Sequence, residues 1–254
     1  MSSLVYAEMR VAGCDADFRV NDIPVWRLQH REATFQAIPV HEFLVDGSNR
    51  LRITLVGNGT APEAQASLAV TGYPEGARLG EKGGQPLGRV DLQTPDAAGQ
   101  PVQSAESSFS SALPIRWSWQ DLAAVDWASP AASAAVLQFL QEFSRRLQAG
   151  DAPWLAGALR PRMSEYCQAY NMDPALELAE MDARIARRRA DPSFAVTPFA
   201  AGDLALRPCA GGRLVECLLK SGEPAIRWTD ARVGPLGAWN LKLGVRQGTL
   251  QVYR

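Results

Sequence analysis

Nucleophilic catalysis in this chain would have to draw on Ser111 or Ser118 and on His30 or His41. No GxSxG stretch sets either serine on a strained strand-to-helix turn, and both histidines lie far upstream. The glycine-rich GEKGGQPLG lacks Lys-Ser/Thr after its last Gly and opens no helix. It reads as a flexible loop, not a phosphate cradle. The cysteines Cys14, Cys167, Cys209 and Cys217 form no CxxC pair, and His30 and His41 lie far in sequence from three of them, so no zinc site and no cofactor is expected. Cys209 and Cys217 flank a turn at Gly211-Gly212. A two-residue turn there sets Cys209 opposite Leu214 and Cys217 opposite Leu206, out of register for a disulfide. Buried reduced thiols suit a cytosolic protein.

The residue types left are those that make contacts. The run ARIARRRA could meet phosphate, or an acidic partner through Arg184 and Arg188, which share a helix face. The simpler account is cations at a helix C-terminus, with Glu180 pairing to Arg184 at i,i+4. The stretch PIRWSWQDLAAVDW holds three of the seven tryptophans. Trp117, Trp119 and Trp127 could anchor two domains to each other or form an exposed hot spot. Their position at a domain boundary favours the seam. The loop DARVGPLGAW, residues 230 to 239, adds Arg232 and Trp239. The candidate partner-contact residues are therefore Arg184, Arg188, Trp117, Trp119, Arg232 and Trp239.

These groups must be positioned by a chain of 254 residues, 46% hydrophobic and 21% charged, enough for two ordinary domains. A net charge of −1 supplies no global field for nucleic acid or an anionic membrane. Lysine occurs only at Lys82, Lys220 and Lys242. No apolar run reaches membrane-spanning length. VAGC, residues 11 to 14, looks like a lipoprotein cleavage site, but Glu8 and Arg10 occupy the place of the apolar stretch such a signal needs. Val5, Ala7, Met9 and Val11 alternate with period two, so a strand is expected there and a cytoplasmic location follows.

Short strands and turns continue to about residue 118. FRVNDIPV is strand, turn, strand, with Asn21-Asp22 turning. ATFQAIPVHEFLV extends the pattern, with Pro39 at an edge or bend. Leu51, Ile53 and Leu55 alternate with Arg50, Arg52 and Thr54 on a half-buried strand. AQASLAVTGY is another. Residues 74 to 107 are rich in Gly, Pro, Gln and Ser: a linker, a mobile loop, or loops around one strand at GRVDL. SALPIRWSW returns to β character. The period then changes. Ser129-Pro130 starts a helix that carries Val136, Phe139, Leu140, Phe143 and Leu147 and ends at Gly150. Pro153 opens a second helix through Tyr170, broken or kinked at Pro161. Asp173-Pro174 starts a third, with Leu178, Met181 and Ile185 inward. Strands follow near 193–199, 203–209, 213–219, 224–229, 238–245 and 249–253. The fold class expected is α+β: an antiparallel β-sandwich over 1–118, then three helices packed on a curved antiparallel sheet over 119–254.

VLQFLQEFSRRLQAGDAPWLAGALRP and DLALRPCAGGRLVECLLKSGEPAIRWTD give residues 130 to 254 a pattern that resembles the NTF2-like, or cystatin-like, superfamily. FLVDGSNRLRITL makes the first half similar to a small jelly-roll or Ig-like domain. Enzymes of the NTF2-like group place an Asp, His or Tyr inside the cone, where burial raises a carboxylate toward neutrality. This half has no His, so Tyr166, Tyr170 and Asp203 are the nearest candidates. Tyr166 and Tyr170, four apart on one helix face, are better read as core packing. The pairing of a small sandwich with such a cone resembles immunity proteins that neutralise type VI secretion effectors. That resemblance implies a non-enzymatic protein that binds a cognate toxin, a nuclease being one class that fits, without nucleic acid or membrane as direct partner. The alternative is a small-molecule enzyme or ligand binder using the cone. A third reading is a carbohydrate-binding module on the sandwich.

Overall fold

The computed structural model describes residues 3–30, 33–56, 63–74, 84–95, 103–113, 115–230 and 234–254. The chain divides into two compact units, 1–116 and 117–254. It is α+β, with three α-helices and four antiparallel sheets among the described residues.

The first unit is built from β1 (Ser3–Ala12), β2 (Cys14–Val20), β3 (Ile23–His30), β4 (Thr34–Pro39), β5 (Gly47–Val56), β6 (Glu63–Pro74), β7 (Gln85–Pro95) and β8 (Gln103–Ser111). They form two four-stranded sheets, β4-β1-β6-β7 and β3-β2-β5-β8. The period-two pattern decides which side chains go in. Val5, Ala7, Met9 and Val11 of β1, Cys14, Ala16, Phe18 and Val20 of β2, and Leu51, Ile53 and Leu55 of β5 are all buried. Between β1 and β2 stands Gly13, whose φ of 72° is the left-handed conformation that glycine adopts without strain. VAGC is thus a strand end, a bend and the first residue of the next strand. Asn21 and Asp22, at φ 53° and 65°, make the tight β2–β3 turn. The Asn21 amide donates to Phe43 O and Asn49 Oδ1, both at 2.8 Å. Asn49, fully buried, in turn donates to Val45 O, Gly47 O and Ser111 Oγ.

Two expectations change here. Of the readings of residues 74 to 107, the strand at GRVDL is present as β7, and the start of β8 follows as a strand that was not expected. β8 reads QSAESSFSS, and only Phe109 is buried in it, so it lacks an apolar signal. It is held by its ladder to β5, from Gly47↔Ser111 to Leu55↔Gln103. Of GEKGGQPLG, residues 80–83 lie outside the described residues, while Gln85–Gly88 begin β7, so the flexible-loop expectation does not hold for that half. Among the described residues of SALPIRWSW, none beyond Ser111 lies in a strand. The stretch runs irregularly into a short 3-10 turn at Ser118–Asp121, because Gln120 Oε1 takes the Trp117 N–H at 2.8 Å and bends the chain back.

The second unit carries α1 (Pro130–Ala149), α2 (Ala152–Tyr170) and α3 (Pro174–Arg189). Ser129 caps α1 by accepting from Ala132 N at 3.3 Å, and Gly150 ends it at φ 68°. Asp151 caps α2, and Pro161 sits inside that helix without dividing it. The strands are β9 (Ala195–Val196), β10 (Leu204–Cys209), β11 (Leu214–Leu219), β12 (Ile226–Asp230), β13 (Gly234–Trp239), β14 (Lys242–Arg246) and β15 (Thr249–Val252). The single strand expected over 238–245 is two, β13 and β14, in different sheets: β13-β12-β9 and β10-β11-β14-β15. Cys209 pairs with Leu214 and Cys217 with Leu206, as the turn geometry requires. All four cysteines are buried and none is in a disulfide.

Every residue of β11 is buried, so both faces of its sheet are covered. One face joins the helical core: Val215, Cys217 and Leu219 pack with Val136, Leu140, Phe143 and Leu147 of α1, Leu155 and Leu159 of α2, and Met181 and Ile185 of α3. The other face holds Leu214, Glu216 and Leu218. There the Leu122 side chain lies so close to Gly244 that a Cβ on that glycine would sit 2.4 Å from it. Among the described residues, no helix is long and apolar enough to cross a membrane.

Candidate functional site

Helix α3 is the most exposed of the three. Asp173 caps it by accepting from Ala175 N at 2.8 Å, and Pro174 occupies its first turn. Only Met181 and Ile185 are buried, one turn apart, and they fix which face looks outward. Arg184 is exposed and stands 3.9 Å from Glu180. That is the expected i,i+4 pair, too long and too solvated to hold the guanidinium firmly. Arg187, Arg188 and Arg189 fill the last turn, where the helix dipole favours cations. At the other end Leu176 is 66% exposed and Met172 36%, both large apolar side chains in water.

Arg188 lies over the indole of Trp228, 4.5 Å from the ring centroid. Trp228 meets Trp239 edge-on at 5.6 Å, and Trp239 meets Phe143 edge-on at 5.5 Å. The close approach depends on Gly237, the cross-strand partner of Trp228. A Cβ there would stand 2.1 Å from the indole. The aromatic row thus runs from the core outward to α3. The fold brings Arg184, Arg188 and Trp239 into one region. Trp228 belongs with them and was not among the expected residues. IRWTD reads as an ordinary alternating strand, and only the Gly-Pro-Leu-Gly-Ala-Trp stretch opposite, with its bare Gly237, hints that a ring needs room there.

Trp117 and Trp119 are placed elsewhere. They are 0% and 5% exposed and belong to the interior. Trp117 packs against Arg254, whose guanidinium carbon is 5.8 Å from its ring centroid. Arg254 Nη1 donates to the carboxylate of Glu165, and the other oxygen of Glu165 takes the Ser118 N–H and hydroxyl. A contact surface would need these rings outside; both are buried, and Trp117 is held by this polar cluster. Trp127 is buried too, its indole N–H on Gly212 O at 2.7 Å. Arg232 lies outside the described residues.

The residues weighed for catalysis have structural partners. Ser111 Oγ donates to Val45 O and accepts from Asn49, and Ser118 Oγ faces Glu165. His41 sits in the turn His41–Phe43, its imidazole pushed below its ordinary pKa by burial. Tyr166 and Tyr170 touch with their rings tilted by 55° and centroids 4.8 Å apart. Asp203 is exposed, and its carboxylate takes the Ala200 N–H at 2.9 Å. A second buried pair, Lys242 Nζ and Glu216 Oε1 at 3.9 Å, is completed by Asn240 donating to the same oxygen at 2.8 Å. Burial raises the Cys14 thiol to about 11 and lifts Cys217 further, so both stay protonated near neutrality. Among the described residues, no group of three or more His, Cys, Asp or Glu side chains is placed to hold a metal ion. No protein-family model matches the chain, and comparison with curated proteins and with solved structures finds no match for it.

Proposed function

We propose that this chain is a non-enzymatic binding protein: a cytosolic immunity protein that neutralises a cognate type VI effector, with a nuclease as the expected class, by covering its active site. In this reading the first unit is a β-sandwich and the second an NTF2-like domain. The observation that carries it is the exposed α3. One end offers apolar Leu176 and Met172, and the other offers Arg184 beside the Arg188–Trp228 stack. Arginines next to tryptophans and exposed apolar side chains are the usual anchors of protein interfaces, and the positive end suits an acidic partner surface.

The alternative, a ligand held within the cone, asks for space between helices and sheet. Leu140, Phe143, Leu155 and Leu159 meet Val215, Cys217 and Leu243 there.

The test is co-expression with the toxin encoded by the neighbouring gene, followed by gel filtration. Rescue of growth and a co-eluting complex are expected, with Arg184→Glu and Leu176→Asp each weakening the complex at least tenfold. Failure of rescue, with no complex at micromolar concentration, overturns the reading.

A further inference from the structure

The outward face of the β4-β1-β6-β7 sheet carries a cavity of about 460 Å³ that the toxin-binding reading does not use. Its walls follow from strand register. Arg10 on β1 stands opposite Phe35 on β4 and Ser67 on β6, and Ser67 stands opposite Asp91 on β7. One step along, Ala12 faces Gln65 and Gln65 faces Gln93. The result is two parallel rows across the sheet, with the small residues Ala12 and Ser67 as a floor.

The side chains are of few kinds. Phe35 is 45% exposed, and the Arg10 guanidinium lies 4.6 Å from its ring centroid. The cation lies over one face of the ring, and the flat apolar surface offered to a ligand is the other face. Arg89 holds Asp91 by a two-pronged pair, Nε to Oδ2 at 2.8 Å and Nη2 to Oδ1 at 2.7 Å. The carboxylate is kept ionised and oriented, with its pKa below the ordinary value. Gln65 and Gln93 add planar amides. Among the described residues no carboxylate pairs with Arg10. The nearby Glu8 accepts from the Tyr73 hydroxyl at 2.8 Å and does not line the cavity.

We propose that this face is a binding site for a saccharide bearing a carboxylate. The apolar face of a sugar ring stacks on Phe35. Its hydroxyls meet the fixed Asp91–Arg89 pair and the amides of Gln65 and Gln93. The acid group takes Arg10. Lipid chains and extended apolar ligands do not suit a floor of Ala12 and Ser67 rimmed by polar side chains. Arg10 and Arg89 against Asp91 leave one positive charge, which selects an acidic sugar over a neutral one.

The test uses the full chain on an array of uronate- and sialate-bearing glycans with their neutral counterparts, followed by calorimetric titration of the tightest. Saturable binding of an acidic glycan is expected, at least about tenfold tighter than its neutral counterpart and weakened by salt. Phe35→Ala and Arg10→Ala should each lower affinity about tenfold or more while leaving the melting temperature near that of the parent, since both side chains are exposed. Arg145→Ala on the second unit should change nothing. Absence of any acidic ligand, equal binding of neutral glycans, or indifference to Phe35→Ala and Arg10→Ala overturns the proposal. The site lies wholly in the first unit and the toxin-binding argument in the second, so one can fail without the other.

Discussion

The guanidinium of Arg188 rests 4.5 Å from the centre of the Trp228 ring, and this contact joins the last turn of α3 to the strand β12. Trp228 is 2% exposed and part of the helical core, so the stack marks where that core reaches the surface. Arg188→Ala is expected to cost the second unit about 0.5–1 kcal/mol, the worth of a partly exposed cation–π contact. Arg184→Ala, whose pairing with Glu180 is loose, should leave stability within about 0.5 kcal/mol. Chemical denaturation of both variants separates the anchored arginine from the loosely paired one.

Glu165 and Arg254 form a buried ion pair, with side chains 6% and 3% exposed. Glu165→Gln turns the guanidinium toward a neutral amide in a desolvated site and should cost about 3–5 kcal/mol. Replacing both, as Glu165→Leu with Arg254→Met, should not recover the parent stability. The Ser118 N–H and hydroxyl would then lose their acceptor. Thermal melts of the single and double variants read the difference. Full recovery in the double variant would show that Ser118 does not depend on Glu165.

Asn49 plays the corresponding part in the first unit. Its amide reaches Val45, Gly47, Ser111 and Asn21 by hydrogen bonds of 2.8 to 3.1 Å. Asn49→Leu keeps the volume and strands these partners, at an expected cost of about 2–4 kcal/mol. Proteolysis should then cut residues 1–116 before the rest, because the loss falls within that unit.

On α1, Arg145 and then Arg146 hydrogen-bond the Glu142 carboxylate and hold it down to about 2, against an ordinary value of 4.5. A depressed folded-state pKa stabilises the fold above the unfolded value, and that contribution is lost as pH falls. The contribution should be complete above about pH 4.5 and gone near pH 2. Exposure and salt screening keep it small. Glu142→Gln should flatten this part of the acid-stability curve, and added salt should do the same to the parent protein.

The sequence announces its helices by their ends. Ser129-Pro130 and Gly150 bracket α1, and Asp173-Pro174 opens α3, because capping is local chemistry. β1, β2 and β5 are equally plain, since one buried face imposes alternation. β8 is hidden because its serines carry no apolar period and its place depends on a ladder to a strand far away in sequence. The same limit applies to the candidate contacts. Arg184 and Arg188 share a face by helical arithmetic alone. Trp117 packs against Arg254, and its neighbour Ser118 bonds Glu165, both far along the chain and linked to them by no spacing rule. Trp228 is legible only through the missing Cβ of Gly237, a tertiary fact written in another strand.

The most direct test of the central claim is the affinity of the full chain for the toxin encoded beside it, measured by calorimetry with the parent, Arg184→Glu and Leu176→Asp. The account predicts a stable one-to-one complex in which each substitution on α3 lowers affinity at least tenfold, on the order of 1.4 kcal/mol or more, with the fold intact by circular dichroism. A complex indifferent to both substitutions would move the interface off α3. No binding at all would contradict the account.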